Sequence, residues 1–325
     1  MLSLTKSSEI IRQEIERLQT IPFSPVSLYE PVKYIMSGGG KRIRPSLCLF
    51  SCSIFSKAYK KALRPAVGIE ILHNFTLVHD DIMDKSDFRR NKATVHKKWD
   101  INTAILSGDV MMFLATEYFN DLPASTYHLV LPFFAATSRK ICEGQQMDMD
   151  FETSSNIKLS DYIEMIRLKT AELLAASLYI GAIIGGADKK QAIALYNYGI
   201  FAGIAFQLRD DYLDVYGNVE EFGKPVGNDI INRKKTFLYL SALEQSNKTD
   251  KTFLQKAYSE NNSIDKKVVG QITSIYNKLN IPGLTDNEIT HYHTKAIQVI
   301  KKAGIPDKAV TLLQNFSEKL TQRVV

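Results

Sequence analysis

The sequence predicts an all-α protein folded as a single domain over residues 1–325. Apolar residues recur at helical spacing in nearly every long segment, and no run shows sustained strand-like alternation between hairpin turns. No internal repeat, low-complexity tract or Pro/Ser-rich linker divides the chain, although length alone allows one large domain or two ordinary ones. Hydrophobic residues make up 45% and charged residues 23%, as in ordered globular proteins, which excludes a disordered chain. The formal charge is +6, without the dense Lys/Arg block that nucleic-acid binding needs. It suits anionic small-molecule ligands instead.

Helices are predicted near residues 4–20 and 26–36, the second ended by Ser37-Gly38-Gly39-Gly40. Three glycines stop a helix and let a ligand approach the backbone, and Lys41 and Arg44 then present charge where the next helix begins. A phosphate-binding P-loop is excluded, because Arg42 follows Lys41 and no strand precedes it. Helices follow near 44–60 and 62–84. On the first of these, Cys48 and Cys52 at i and i+4 read as buried helix residues rather than zinc ligands. With Cys142 they make an odd number of thiols, and no secretory apolar segment opens the chain, so the expected compartment is a reducing cytoplasm.

The helix over 62–84 is apolar on nearly every side, as for a helix buried in a larger protein. It ends in Leu77-Val78-His79-Asp80-Asp81-Ile82-Met83-Asp84. Asp80 and Asp84, at i and i+4, share a face, and Asp81 is turned about 100° away. Like charges at the negative end of a helix repel unless a cation offsets them; a hard divalent ion such as Mg²⁺ does so and keeps positions open for phosphate oxygens. The polar segment 85–99 is expected as a loop in which Arg89, Arg90, Lys92, His96, Lys97 and Lys98 crowd beside the carboxylates, where guanidinium forks pair with phosphate.

Helices near 101–120 and 124–152 come next, the second carrying Gly144-Gln145-Gln146-Met147-Asp148 with Gln145 and Asp148 on one face. The helix near 158–187 is apolar but is interrupted by Lys169-Thr170, and a Lys among apolar neighbours must face an anion or a polar cavity. Its longest apolar run, Leu173 to Ala187, is about three residues short of a membrane span. That run holds Gly181, Gly185 and Gly186, so a core helix is expected and no integral membrane segment. The helix near 189–217 ends in a second acidic motif, Phe206-Gln207-Leu208-Arg209-Asp210-Asp211-Tyr212-Leu213-Asp214. Asp210 and Asp214 are again i and i+4, Gln207 lies one turn earlier, and a loop containing Lys224 leads to Lys234 and Lys235. Two such helix ends facing one another would hold several Mg²⁺ ions and a diphosphate. Helices near 233–246, 250–260, 263–280, 286–303 and 306–322 complete the chain.

The ordered motifs are GGGKRIRP, LVHDDIMD with RRNKATVH, SGD at Ser107 to Asp109, GQQMD, KT, FQLRDDYLD and GKPVGNDI. With them the stretch from Met36 to Thr236 resembles the trans-isoprenyl diphosphate synthases of the polyprenyl synthetase family. The resemblance implies a bundle of mostly antiparallel helices around a deep central cavity, assembled as a homodimer. It also implies that Lys41, Arg44, His73 and Arg90 bind the diphosphate of isopentenyl diphosphate, and that Arg89 contacts that of an allylic diphosphate. Asp80, Asp84 and Asp210 resemble direct Mg²⁺ ligands. Asp214 joins the metal set through water or as a support, as Asp81 and Asp211 do, with three ions implied per active site. Lys169, Lys224 and Lys234 resemble the lysines that hold the allylic diphosphate, and Thr170 and Gln207 the polar groups beside the developing cation.

Phe75 and Thr76, five and four residues before the first Asp, resemble the floor of the pocket for the growing tail. A ring at Phe75 obstructs a long chain one to two turns below the metals, at about 5.4 Å per turn. The expected product is therefore short, C20 ahead of C15 because Thr76 leaves room. The alternatives are a longer-chain synthase, a terpene cyclase and a non-catalytic subunit of a heteromeric synthase. A cyclase has no use for a second diphosphate site, and silent subunits usually lack one Asp motif. The chain departs from the family pattern at Asn91, where glycine often follows the two arginines, and at Asn232-Arg233-Lys234 in place of Glu-Gly-Lys. Its C-terminus, Gln322 to Val325, has less of a basic tail.

Overall fold

The computed structural model describes residues 1–217, 227–259 and 264–322, and these are helical almost throughout. The expectations for Lys224 and for the tail beyond Gln322 lie outside the described residues. Two compact units are present: Met1–Ser138 with Leu173–Tyr196 and Ala303–Ala309, and Arg139–Glu172 with Asn197–Lys302 and Val310–Val325.

The first unit opens with α1 (Leu4–Gln19), whose first turn is capped where the Ser3 hydroxyl accepts from Lys6 N at 3.1 Å. Then come α2 (Val26–Met36), α3 (Ile43–Phe55), α4 (Leu63–Met83), α5 (Val95–Lys98) and α6 (Ile101–Glu117). The helix expected over 44–60 stops at Phe55: Ser56 is extended, its hydroxyl accepts from Ala58 N, and a short 3-10 turn follows at Tyr59–Ala62. Side-chain-to-backbone bonding of this kind competes with helix propagation. α4 buries residues all round its first turns, from Pro65 to Leu72, as its sequence requires. Cys48 and Cys52 on α3 are fully buried free thiols.

The segment after α4 is not the simple loop expected. Phe88–Arg89 (β1) and Lys92–Ala93 (β2) pair antiparallel with Phe88 opposite Ala93. Arg90 and Asn91 at the tip have φ of 52° and 60°, the left-handed geometry that a two-residue hairpin demands. Asn enters that region more readily than most residues, so Asn91 does here what glycine does in the family pattern. Arg233 also stands at a left-handed φ, 53°, again where the pattern has glycine, and its Nε–H donates to Ala257 O at 3.2 Å. Two of the expected loop cations have partners within this unit: Lys97 pairs with Asp87, just before β1, at 2.8 Å, and Lys98 sits 3.9 Å from the ring centre of Tyr34 on α2.

α7 (Ala124–Thr153), α9 (Glu172–Gly185) and α10 (Lys189–Tyr216) have residues in both units. The second unit adds α8 (Leu159–Ile166), α11 (Asn228–Ile231), α12 (Phe237–Gln245), α13 (Lys248–Ser259), α14 (Lys266–Lys278), α15 (Ile281–Lys302) and most of α16 (Asp307–Gln322). α8 runs into α9 through a π turn at Arg167–Ala171, closed by a bond from Glu172 N to Arg167 O. The apolar stretch is thereby longer than the run read from Leu173. Leu159–Gly185, 27 residues, is long and apolar enough to cross a membrane by length and composition, but 78% of its most apolar window is buried inside the protein, as in a core helix.

Candidate active site

In the first unit, the glycine turn, the start of α3, the middle of α4 and the hairpin tip surround a cavity of about 400 Å³ lined by Lys41, Arg42, Arg44, Glu70, His73 and Arg90. Sequence reasoning grouped four of these residues but missed Arg42 and Glu70. Arg42 is buried at the left-handed φ of 48°; it donates to Glu70 Oε1 and to Met36 O, both at 2.5 Å. This buried pair pins the glycine turn to α4 and neutralises the cavity's one carboxylate. Arg44 and Arg90 share that same single negative charge at longer range, so positive charge is in excess among the described lining residues. Arg44 Nη1 donates to His73 Nε2 at 3.2 Å, and Arg44 Nε is buried with no hydrogen-bond partner. Accepting from Arg44 requires a neutral imidazole, and burial together with the positive charges of Arg44, Arg90, Arg89 and Arg42 does hold His73 well below the usual histidine range. Arg90 Nη1 donates to Gly39 O at 2.5 Å, and a Cβ on Gly40 would stand 2.9 Å from the Arg90 guanidinium carbon. Glycine is required there for its φ of 115°, and a Cβ would also push the Arg90 guanidinium from its present seat. Glu70→Gln, which keeps the shape and removes the charge facing Arg42, is expected to cost about 2 kcal/mol of stability, read as a lower urea midpoint at unchanged slope.

The first Asp motif closes α4 at the other end of the same face. Asp84 is the exposed C-terminal cap residue and Asp80 is half-buried. Asp81 is 0% exposed. Arg89 holds its Oδ1 with Nε and Nη2, each at 2.7 Å, while Oδ2 is buried without a hydrogen-bond partner. Burial raises the Asp81 pKa in spite of Arg89. Arg89 therefore anchors the middle carboxylate, a role the sequence did not suggest. Thr76 bonds back to His73 O at 2.8 Å, and Phe75 is 9% exposed with its ring against His79.

The second unit repeats the arrangement on α10. Asp210 and Asp214 are half-buried, and the middle residue, Asp211, is buried. Asp211 accepts from Gln207 Nε2 at 2.9 Å and from the Tyr162 hydroxyl, a partner the sequence gave no sign of. Burial, and next the Asp229 charge, push its pKa well up. Asp214 Oδ2 accepts from Asp229 N at 2.7 Å, which ties the motif to the start of α11. Lys234 is exposed, with Nζ 4.0 Å from Asp229 Oδ1. Its neighbour Lys235 donates to the carbonyls of Phe151, Glu152 and Ser154 at 2.6 to 3.0 Å and so caps the end of α7.

The π turn delivers Lys169 and Thr170 into this unit's polar network. Lys169 Nζ meets Asp148 Oδ2 at 2.5 Å, and the Thr170 hydroxyl donates to Gln207 Oε1 at 3.0 Å. Thr170, Gln207, Asp211 and Tyr162 thus form one chain of hydrogen bonds. The extra residue of a π turn re-aims side chains that an α-helix would bury, and such turns are frequent at functional sites. Close approach holds it in place. A Cβ on Gly144 of α7 would lie 2.4 Å from Lys169 N, and one on Gly203 of α10 would lie 2.6 Å from Ala171 Cα.

Among the described residues, no three His, Cys, Asp or Glu side chains converge into a metal site by themselves. The donor chemistry nevertheless fits Mg²⁺. A carboxylate pair at a helix end suits a hard ion that completes its shell with water and substrate phosphate rather than with an all-protein cage.

An all-helical fold with two DDxxD helix ends, each accompanied by basic side chains, defines a prenyl diphosphate synthase class. A family model described as polyprenyl synthetase matches residues 25–276. The chain belongs to the polyprenyl synthetase family and is an enzyme of the trans-prenyltransferase class. It is 40% identical over 240 residues to the geranylgeranyl pyrophosphate synthase of Geoglobus acetivorans, covering 73% of this chain and 75% of that one. It is 37% identical over 298 residues to the geranylgeranyl diphosphate synthase of Sulfolobus acidocaldarius, covering 89% and 90%. A crystal structure of a geranylgeranyl pyrophosphate synthase matches with a TM-score of 0.94 at 38% identity over 99% of both chains.

Proposed function

We propose that this chain condenses isopentenyl diphosphate with an allylic diphosphate to a short all-trans product, C20 ahead of C15, acting as one catalytic domain of a cytoplasmic homodimer. The observation that carries this reading is the cavity lined by Lys41, Arg42, Arg44, His73 and Arg90, whose one carboxylate is already engaged. Such a lining suits a polyanion, and an enzyme with a single diphosphate substrate has no use for it. That speaks against a cyclase, as two intact Asp motifs speak against a silent subunit. Relatives named as geranylgeranyl diphosphate synthases support C20.

In this reading Asp80, Asp84 and Asp210 bind Mg²⁺ directly, Asp214 supports them, and three ions serve each active site. When bound, Mg²⁺ supplies the positive charge that draws electrons from the allylic diphosphate as its carbon–oxygen bond ionises. Arg89, Lys169, Lys224 and Lys234 hold the departing diphosphate. The Thr170 hydroxyl donates its hydrogen bond to Gln207 Oε1, so oxygen lone pairs rather than a hydroxyl hydrogen are available to the allylic cation. Lys41, Arg44, His73 and Arg90 anchor isopentenyl diphosphate, whose double bond attacks the cation, and the departing diphosphate takes the proton then lost. Phe75 and Thr76 limit the tail.

Purified protein with Mg²⁺, isopentenyl diphosphate and each allylic diphosphate in turn should yield products ending at C15 or C20 by mass spectrometry. Cyclised hydrocarbon, or activity only after adding a second chain, would replace this reading with one of its rivals. The homodimer is supported by α6, which exposes Ile105, Leu106 and Phe113 at 42%, 58% and 68%. Phe113→Asp is expected to halve the mass measured by light scattering. A dimer that persists in the variant would place the interface on another face.

A further inference from the structure

The Ser107-Gly108-Asp109 motif has no part in the reaction just described, and neither has His79, yet the two meet beneath residues that do. His79 lies on α4 one turn after Phe75, and its imidazole is wedged between the Phe75 ring and the backbone of α6. The ring centroids of Phe75 and His79 are 4.8 Å apart with planes at 65°, an edge-to-face contact. On the other side His79 Nε2 lies 3.2 Å from Ile105 O, an acceptor, so Nε2 carries the proton. A Cβ on Gly108 would fall 2.2 Å from the same nitrogen. Only glycine at 108 leaves the imidazole this seat. The Asp109 carboxylate, at 3.9 Å, is beyond hydrogen-bond reach.

We propose that His79 and Gly108 are positioning residues for product length. They seat the Phe75 ring, which in turn closes the tail pocket. This rests on the reading of Phe75 as the pocket floor and adds the parts that hold the floor in place. A phenyl ring has several staggered χ1 settings. The imidazole fills the space into which the ring would otherwise turn, and the Ile105 carbonyl and the bare Cα of Gly108 fix the imidazole. Removing the imidazole opens a space behind the ring, and the ring swings back into it. One helical turn of added depth, about 5.4 Å, accommodates a further five-carbon unit.

The test compares Phe75→Ala, His79→Ala and Gly108→Ala in the full-length protein, with Mg²⁺, isopentenyl diphosphate and an allylic starter, at low turnover. The readout is the ratio of product lengths by mass spectrometry. A merely structural defect lowers the amount of product without altering its length. Phe75→Ala and His79→Ala are both expected to lengthen the main product by at least one five-carbon unit. Gly108→Ala leaves α4 untouched but takes the imidazole's space, and it is expected to change the C15-to-C20 ratio several-fold. Wild-type ratios in both the His79 and Gly108 variants, alongside longer products from Phe75→Ala, would overturn this proposal and leave the floor in place. Wild-type length from Phe75→Ala would remove the floor itself. Should His79→Ala be inactive because it adjoins Asp80, the Gly108 variant decides.

Discussion

Asp84→Asn is expected to lower kcat on the order of 10³-fold while leaving the protein as stable as before, or slightly more so. A metal that stabilises a departing diphosphate contributes several kcal/mol to the barrier, and about 4 kcal/mol corresponds to that factor. Stability should move the other way. Asp84 is the exposed cap residue at the C-terminal end of α4, where a negative charge opposes the helix dipole by about 0.3–1 kcal/mol. Steady-state rates at saturating Mg²⁺ and thermal unfolding of the same preparations give both numbers. A kcat within about threefold of wild type, well under 1 kcal/mol of barrier, would take Asp84 out of the metal set. Lower activity with lower stability would point to a structural role instead.

Gly144→Ala and Gly203→Ala should each damage both folding and rate. The added methyl meets backbone on the π turn in both cases, Lys169 N at 2.4 Å and Ala171 Cα at 2.6 Å, and backbone cannot yield as a flexible side chain can. Overpacking of a tight interior costs about 1–3 kcal/mol, occasionally more, and these overlaps belong at the upper end. A shift of about 1 Å in Lys169 and Thr170 adds a loss on the order of 10²-fold in rate. Gly270 on α14 provides the control, since a Cβ there meets nothing within 4 Å. Gly270→Ala should raise stability by about 0.4–1 kcal/mol through the unfolded chain and leave the rate alone. If Gly144→Ala behaved like Gly270→Ala in denaturation and turnover, the clamp on the π turn would be wrong.

Helices with one-sided or all-round apolar patterns were legible almost to the residue. The second, expected over 26–36, is Val26–Met36, and the buried helix expected over 62–84 is Leu63–Met83. Periodicity reports burial, and burial is what these helices have most of. The acidic motifs were legible because like charges at a helix end make no structural sense without a cation. Features that depend on one residue's backbone were not. The polar pair Lys169-Thr170 was legible as an interruption, but a π turn inserts only a single residue into a helix that stays apolar on both sides, and nothing in the spacing shows the changed backbone. The hairpin at Arg90-Asn91 lacks the glycine that announces such a turn. Partners distant in sequence were also out of reach. Glu70 and Tyr162 look like ordinary helix residues until Arg42 and Asp211 are brought against them. Arg89 and Arg90 are adjacent in the chain, yet one holds Asp81 and the other crosses to Gly39. The family pattern gives them different substrates, but nothing in the sequence shows these two protein partners.

The cavity around Arg44 has a consequence for the protein before it meets any substrate. Arg44, His73 and Arg90 share one small space, and burial already works against the charge on Arg44 and Arg90. Folding must gather the mutually repelling Arg44 and Arg90 beside a neutral His73, so the ligand-free chain gives up stability to keep them aimed. A multivalent anion relieves that repulsion on binding and raises the melting temperature with the logarithm of its concentration above Kd. Fold and ligand recognition are therefore coupled. Inorganic diphosphate, a product of the reaction, should act as a stabiliser of this enzyme, and a cell poor in diphosphates would hold it in its most fragile form.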